Sequence, residues 1–102
     1  MAKYVYPAIF TLENDGGYSV RFPDIEGCFS EGDSLADAIK QSEDALCLML
    51  YDIEERNEAI PVPTDIHKIE ADESETVSLV TCDTLEYRKF YDKKAVKKTL
   101  TI

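Results

Sequence analysis

The sequence predicts a single α+β domain with its elements in the order β-β-β-α-β, and three stretches carry that expectation. Two runs rich in aromatic and β-branched residues, Lys3 to Leu12 and Tyr18 to Phe22, flank the turn tetrad Asn14-Asp15-Gly16-Gly17. Apolar residues from Leu35 to Ile53 then recur at steps of three and four, the spacing of one helical stripe. After a long connection, Glu75 to Cys82 alternates in the manner of a further strand. A chain of 102 residues with 44% hydrophobic content suffices for one modest core.

The elements follow in order. In Lys3 to Leu12 (KYVYPAIFTL), Pro7 has no backbone donor, which places it at a sheet edge or at a local irregularity. The Asn-Asp-Gly-Gly tetrad tolerates positive φ and closes a hairpin. On the return strand Tyr18, Val20 and Phe22 share one face. Pro23 to Gly27 is a second turn cluster, Cys28 to Glu31 a short third strand, and Gly32-Asp33-Ser34 closes it. Leu35, Ala38, Ile39, Ser42, Ala45, Leu46, Met49, Leu50 and Ile53 form the apolar stripe of the helix. Ser34 caps its first turn, and Asp37 three residues later completes a capping box. Asp37, Gln41, Glu43, Asp44, Glu54 and Glu55 are expected on the solvated side, with the helix ending around Arg56-Asn57.

Residues 58–74, with Pro61 and Pro63, read as an extended connection, long enough to need a neighbour to order it. In the fourth strand Val77, Leu79 and Thr81 face one way, Val80 and Cys82 the other. Residues 84–92 (TLEYRKFYD) have the spacing of a short helix. Residues 96–102 (VKKTLTI) alternate as a last strand, with Lys97, Thr99 and Thr101 on one side.

Charge divides the chain. The formal net charge is −10, but residues 1–86 hold five basic against 20 acidic side chains, a net −15. Residues 87–102 hold six basic ones (Arg88, Lys89, Lys93, Lys94, Lys97, Lys98) against Asp92, a net +5. The acidic body repels nucleic acid and favours a basic protein ligand, although acidity by itself also serves solubility. The basic tail marks a second surface with a different partner. Cys28, Cys47 and Cys82 are an odd, widely spaced set, which fits reduced thiols in a cytoplasmic protein better than a disulfide framework or a zinc site. No signal peptide is expected at the N-terminus, and no stretch reaches the roughly 18 apolar residues of a membrane span.

Catalytic spacing is absent. His67, the sole histidine, sits in the proline-containing connection and reads as a solvated loop residue. The cysteines read as small buried hydrophobes, Cys28 included although it follows a tight turn. Two-metal nuclease chemistry needs carboxylates on strand interiors that converge with a helix, yet neither Lys3 to Leu12 nor Tyr18 to Phe22 contains an acid. Gly16-Gly17 sits in a hairpin and does not open a helix, so no phosphate loop is present. Neither a cofactor nor a metal is expected, and binding is favoured over catalysis.

The stretch Tyr18 to Ile39, YSVRFPDIEGCFSEGDSLADAI, resembles the signature of HicB-type antitoxins of bacterial toxin–antitoxin systems: a strand, Phe-Pro-Asp, a Gly-Cys step, a Gly-Asp turn and an Ala/Leu-rich helix. The order of elements over residues 3–102 agrees with that family. The resemblance implies a partial RNase H-like core without that fold's catalytic carboxylates, followed by a C-terminal short helix and strand. It implies an antitoxin that covers the active site of a HicA-type toxin, a small basic RNA-cleaving protein. It also implies a C-terminal segment that binds operator DNA for autorepression.

On this reading residues 1–83 are the toxin-binding domain, with Phe22, Asp24, Glu26, Glu31 and Asp33 as candidate contacts. Asp24 in a turn and Asp33 beside a helix cap also have ordinary structural roles. Residues 84–102 would be a linker helix and the first strand of a ribbon-helix-helix unit, with Lys97, Thr99 and Thr101 facing DNA. The two helices that complete such a unit do not follow, so a truncated DNA-binding segment is expected. A homodimer or larger even oligomer is expected because a ribbon needs two chains. The rival readings are a residual RNase H-like metal-dependent nuclease and an oligomeric scaffold without a toxin.

Overall fold

The computed structural model of the chain describes residues 3–90. Its elements are β1 (Lys3–Leu12), β2 (Tyr18–Arg21), β3 (Phe29–Gly32), α1 (Leu35–Glu55) and β4 (Glu75–Asp83), with a short 3-10 turn at Ile66–Lys68 before β4. Residues 84–90 form a second helix, α2. The expected α+β order is observed. The expected strand 96–102 lies outside the described residues.

All strand pairs are antiparallel, in the order β3-β2-β1-β4. The β1–β2 hairpin closes as its turn chemistry dictates. Glu13 N–H donates to the Gly17 carbonyl, Gly17 N–H to the Asp15 carboxylate, and Gly16 takes φ +91°.

β1 is a central strand, and Pro7 is nevertheless at an edge. β4 accompanies β1 from Lys3 to Thr11, but β2 pairs only from Ile9 to Leu12. Leu12 N–H donates to the Ser74 carbonyl on the β4 side. Alternation therefore turns the odd-numbered amides towards the β2 side. Pro7 falls where β2 has ended, so its missing donor leaves no ladder bond unmade.

α1 lies across one face of the sheet. Tyr6, Ala8 and Phe10 of β1, Val20 and Phe22 at the β2 end, Val80 and Cys82 of β4, and Ile25 and Cys28 of the β2–β3 connection meet Ala38, Leu46, Leu50 and Ile53 in one core. Burial along the helical stripe is less uniform than the periodicity implied. Ala38, Ser42, Leu46, Leu50 and Ile53 form its buried ridge, whereas Leu35 and Ile39 are exposed. Leu35 stands about five full turns before Ile53 and Ile39 about two turns before Leu46, so both share the direction of that ridge and are exposed in the first turns of the helix. On the opposite face Pro7 and Ile9 are also buried, while Val5 and Leu79 stay exposed.

The 58–74 connection is tied down along its length. Tyr6 donates its hydroxyl to the Pro61 carbonyl. Thr64 donates both its N–H (2.8 Å) and its hydroxyl (2.5 Å) to the Asp24 carboxylate. The 3-10 turn then contacts β4. The neighbour expected to order this connection is therefore the β2–β3 turn together with the sheet.

Glu54 corrects a second expectation. It was placed among solvated helix acids, but it accepts from Tyr4 Oη (2.6 Å), Thr84 Oγ1 (2.9 Å) and Arg88 Nη2 (3.0 Å). The last turn of α1 runs beside the start of β1 and the root of α2, so this carboxylate joins all three. Arg88 also bonds Glu55 and lies 4.6 Å from the centre of the Tyr51 ring, which is tilted against Tyr87.

Candidate partner-binding surface

Five carboxylates gather in a cleft of about 630 Å³ between the hairpin turn and the start of α1. Glu13 and Asp15 come from the turn, Glu31 and Asp33 from the end of β3, and Asp37 from the first turn of α1; Gln41, Tyr18 and Ser19 complete the walls. Among the described residues no basic side chain lines it. Three local devices hold the carboxylates. Ser19 Oγ donates to Glu13 (2.6 Å), Gly17 N–H to Asp15 (2.9 Å) and Asp33 N–H to Asp37 (3.1 Å).

That last bond modifies the expected capping box. Ser34 accepts from Asp37 N–H (3.1 Å) as a cap should, but Asp37 reaches back to Asp33 N–H, one residue before the cap. The shift aims the Asp37 carboxylate along the cleft. Gly32 lets β3 approach the helix closely enough for this to happen, since a Cβ there would stand 2.3 Å from Ala38 N.

The five expected contact residues do not form one patch. Glu31 and Asp33 lie in the acidic cleft and are exposed. Asp24 and Glu26 lie in the β2–β3 connection at the opposite end of β3, about 13 Å away along a four-residue strand. Asp24 has both carboxylate oxygens engaged by Thr64, so its structural role is to anchor the 58–74 connection, and its own backbone is not the partner. Phe22 is corrected outright. It is 3% exposed and belongs to the core, because it continues the inward face of Val20. Lys97, Thr99 and Thr101 lie outside the described residues.

Sequence reasoning missed Glu13, Asp15 and Asp37 as members of the cleft. Their visible signals were a turn and a cap, and only the fold shows that these local features converge with β3.

The remaining chemistry is sparse. His67 has its ring nitrogen 2.9 Å from Asp65 and a side chain 89% exposed, consistent with a loop residue. The paired Asp65 carboxyl is held below its ordinary range, first by the His67 backbone N–H. Cys28 is enclosed, and burial pushes its thiol up to about 11, which fits a packing role. Among the described residues no three His, Cys, Asp or Glu side chains converge as metal ligands. No helix there is long and apolar enough to cross a membrane.

Comparison with known proteins places the chain in a family. The model of a HicB-like antitoxin family of bacterial toxin–antitoxin systems matches residues 6–100. The antitoxin HicB of Escherichia coli is 36% identical over 62 residues, which are 61% of this chain and 45% of that protein. The chain thus matches about half the length of such curated relatives. A toxin–antitoxin complex from Streptococcus pneumoniae contains a chain of the same fold, with a TM-score of 0.74 at 24% identity over 83% of this chain and 72% of that one. A chain in a HicA3–HicB3 toxin–antitoxin complex is 28% identical, with a TM-score of 0.64 over 78% of this chain and 99% of that one.

Proposed function

The chain belongs to the HicB-like antitoxin family of bacterial toxin–antitoxin systems, and from that premise we propose that it neutralises a HicA-type toxin by covering the toxin's RNA-cleaving site. It works by binding and not by catalysis. The observation that carries this reading is the five-carboxylate cleft on a body of net −15. A protein that binds RNA presents cations spaced for phosphates. A rigid set of carboxylates can occupy those cations in place of the phosphates and steer the encounter.

Glu31 and Asp33, joined by Glu13, Asp15 and Asp37, make the principal contact, and residues 1–83 form the toxin-binding domain. Glu26 offers a flanking charge. Phe22 acts from beneath by fixing the β2 end, and Asp24 by fixing the 58–74 connection.

The test is titration of a purified HicA-type toxin with this chain by calorimetry at low and high salt. Binding at low salt is expected, weakening as salt rises. The double reversal Glu31→Lys/Asp33→Lys is expected to weaken it by about 100-fold or more, since close interfacial charge pairs are each worth about 1.5 kcal/mol or more. Absence of a complex at both salt concentrations would sink the proposal.

Residues 84–102 serve a second function in the same proposal. Supported by the +5 charge of residues 87–102 and by the family, they belong to a segment that pairs two chains on operator DNA, with Lys97, Thr99 and Thr101 towards the bases. In the protein with its full C-terminal segment, Lys97→Ala is expected to weaken operator binding in a gel-shift titration. An unchanged dissociation constant would remove that role. The assembly is then a homodimer or a larger even oligomer.

A further inference from the structure

Two of the three cysteines, read from their spacing as separate reduced thiols, meet in the fold. Cys47 on α1 and Cys82 on β4 bring their sulfurs to 2.6 Å. This is longer than the about 2.05 Å of a covalent disulfide. They belong to two elements already packed together, so little movement would join them.

Access is asymmetric. Cys82 is buried at 4% exposure, whereas Cys47 is half-buried, and both line an open cleft of about 960 Å³ with Lys40, Asp44 and Phe90. We propose that Cys47 and Cys82 form a reversible dithiol–disulfide site that reacts with small peroxides and, when oxidised, links α1 to β4.

The proton distribution agrees with this geometry. The Cys82 thiol beside it holds Cys47 below the usual thiol range, against the opposing effects of burial and of Asp44 and Glu43. Cys82 is raised, first by the same contact and then by burial. Cys47 is therefore the attacking sulfur.

Its thiolate attacks one peroxide oxygen, the O–O bond breaks, and the departing hydroxide takes a proton to leave as water. Cys47 is then a sulfenic acid, oxidised by the two electrons that the peroxide gains. The Cys82 sulfur attacks the Cys47 sulfur, and the S–S bond forms. The sulfenic hydroxyl leaves with the Cys82 proton as a second water. An external thiol reverses the link by exchange. Cys82 stands two residues before Thr84, so the link fixes the point from which α2 leaves the sheet. This site does not depend on the antitoxin reading.

The experiment treats the folded protein with hydrogen peroxide, alkylates it, and maps its peptides by mass spectrometry. A 47–82 linked peptide, lighter than the two free peptides by two hydrogens and restored by dithiothreitol, is expected. Cys28 should stay reduced until the protein is unfolded. The oxidised chain should melt more than about 5 °C higher, because the link closes a long loop. Cys28→Ser should keep both effects; Cys47→Ser and Cys82→Ser should lose them. A wild-type map in which oxidised protein carries no 47–82 link, or carries links to Cys28 as often, overturns the proposal. That map decides the matter even if a serine variant fails to fold.

Discussion

Replacing Gly32 by alanine is expected to cost at least about 3 kcal/mol of stability, the upper end of overpacking penalties. The new Cβ would stand 2.3 Å from Ala38 N, 2.6 Å from Ala38 Cα and 2.8 Å from Asp37 C. All three are backbone atoms of the first turns of α1, so no side chain can swing aside. Either β3 must leave its pairing with Tyr18 or α1 must lift from the sheet. Both movements separate Asp33 from Asp37 and open the acidic cleft. The loss should therefore appear twice, as a lower urea midpoint and as weaker toxin binding by whatever variant protein remains folded. Gly27→Ala is the matched control. Its Cβ meets nothing within 4 Å, and only its φ of +78° is strained, which amounts to about 1–2 kcal/mol. If the two variants unfold at the same urea concentration, close approach at Gly32 is not what holds β3 to the helix.

Glu54→Ala is expected to cost about 2–3 kcal/mol, since it removes a largely buried carboxylate that accepts from three groups at once. Its side chain is 17% exposed, so solvent screening weakens these bonds little. The effect has a pH signature. Burial alone would raise the Glu54 carboxyl, but the donors Tyr4, Thr84 and Arg88 outweigh it and hold the group below its usual range. A depressed carboxyl contributes stability at neutral pH that is lost as pH falls through its folded value. Tyr4 is pushed from 10.0 up to about 12, first by its bond to Glu54. A raised phenol contributes stability that is complete below its unfolded value and is lost as pH rises from about 10 to about 12. The wild-type stability profile should fall on both sides, and Glu54→Ala should flatten both arms. In the same variant, trypsin should cut faster at Arg88 and Lys89 as α2 loosens. A variant profile that parallels wild type at both extremes would show that Glu54 does not join these elements.

What was legible in the sequence was whatever is decided within a few residues. The Asn14–Gly17 turn, the Ser34 cap and the ends of β1 and α1 follow from local chemistry, and the structure repeats them closely. Periodicity also identified an apolar helix and its inward direction, but it does not say how far along the helix the sheet reaches, so Leu35 and Ile39 were assigned inward with Ala38 and are exposed. The relations it could not supply link residues far apart in the chain. Asp24 finds Thr64 40 residues on, Tyr4 finds Glu54 50 residues on, and Cys47 finds Cys82 35 residues on. The candidate site suffered in the same way. Glu31 and Asp33 were legible as charges beside a helix start. Glu13 and Asp15 already had a sufficient local explanation in the hairpin, and nothing short of the fold brings them across to β3.

The pairing of β1 with β4 has a consequence for how the protein is made. Its register joins Lys3 to Asp83 and Tyr4 to Cys82, so during synthesis the first strand of the described fold waits for its last. Until then the β1–β2 hairpin carries one open flank, and the core lacks Val80 and Cys82. Closing so long a loop carries a large entropic cost before any ladder bond repays it. Completion of the sheet is therefore a late event in synthesis, and a nascent chain halted before residue 75 has no β4 with which to finish its core.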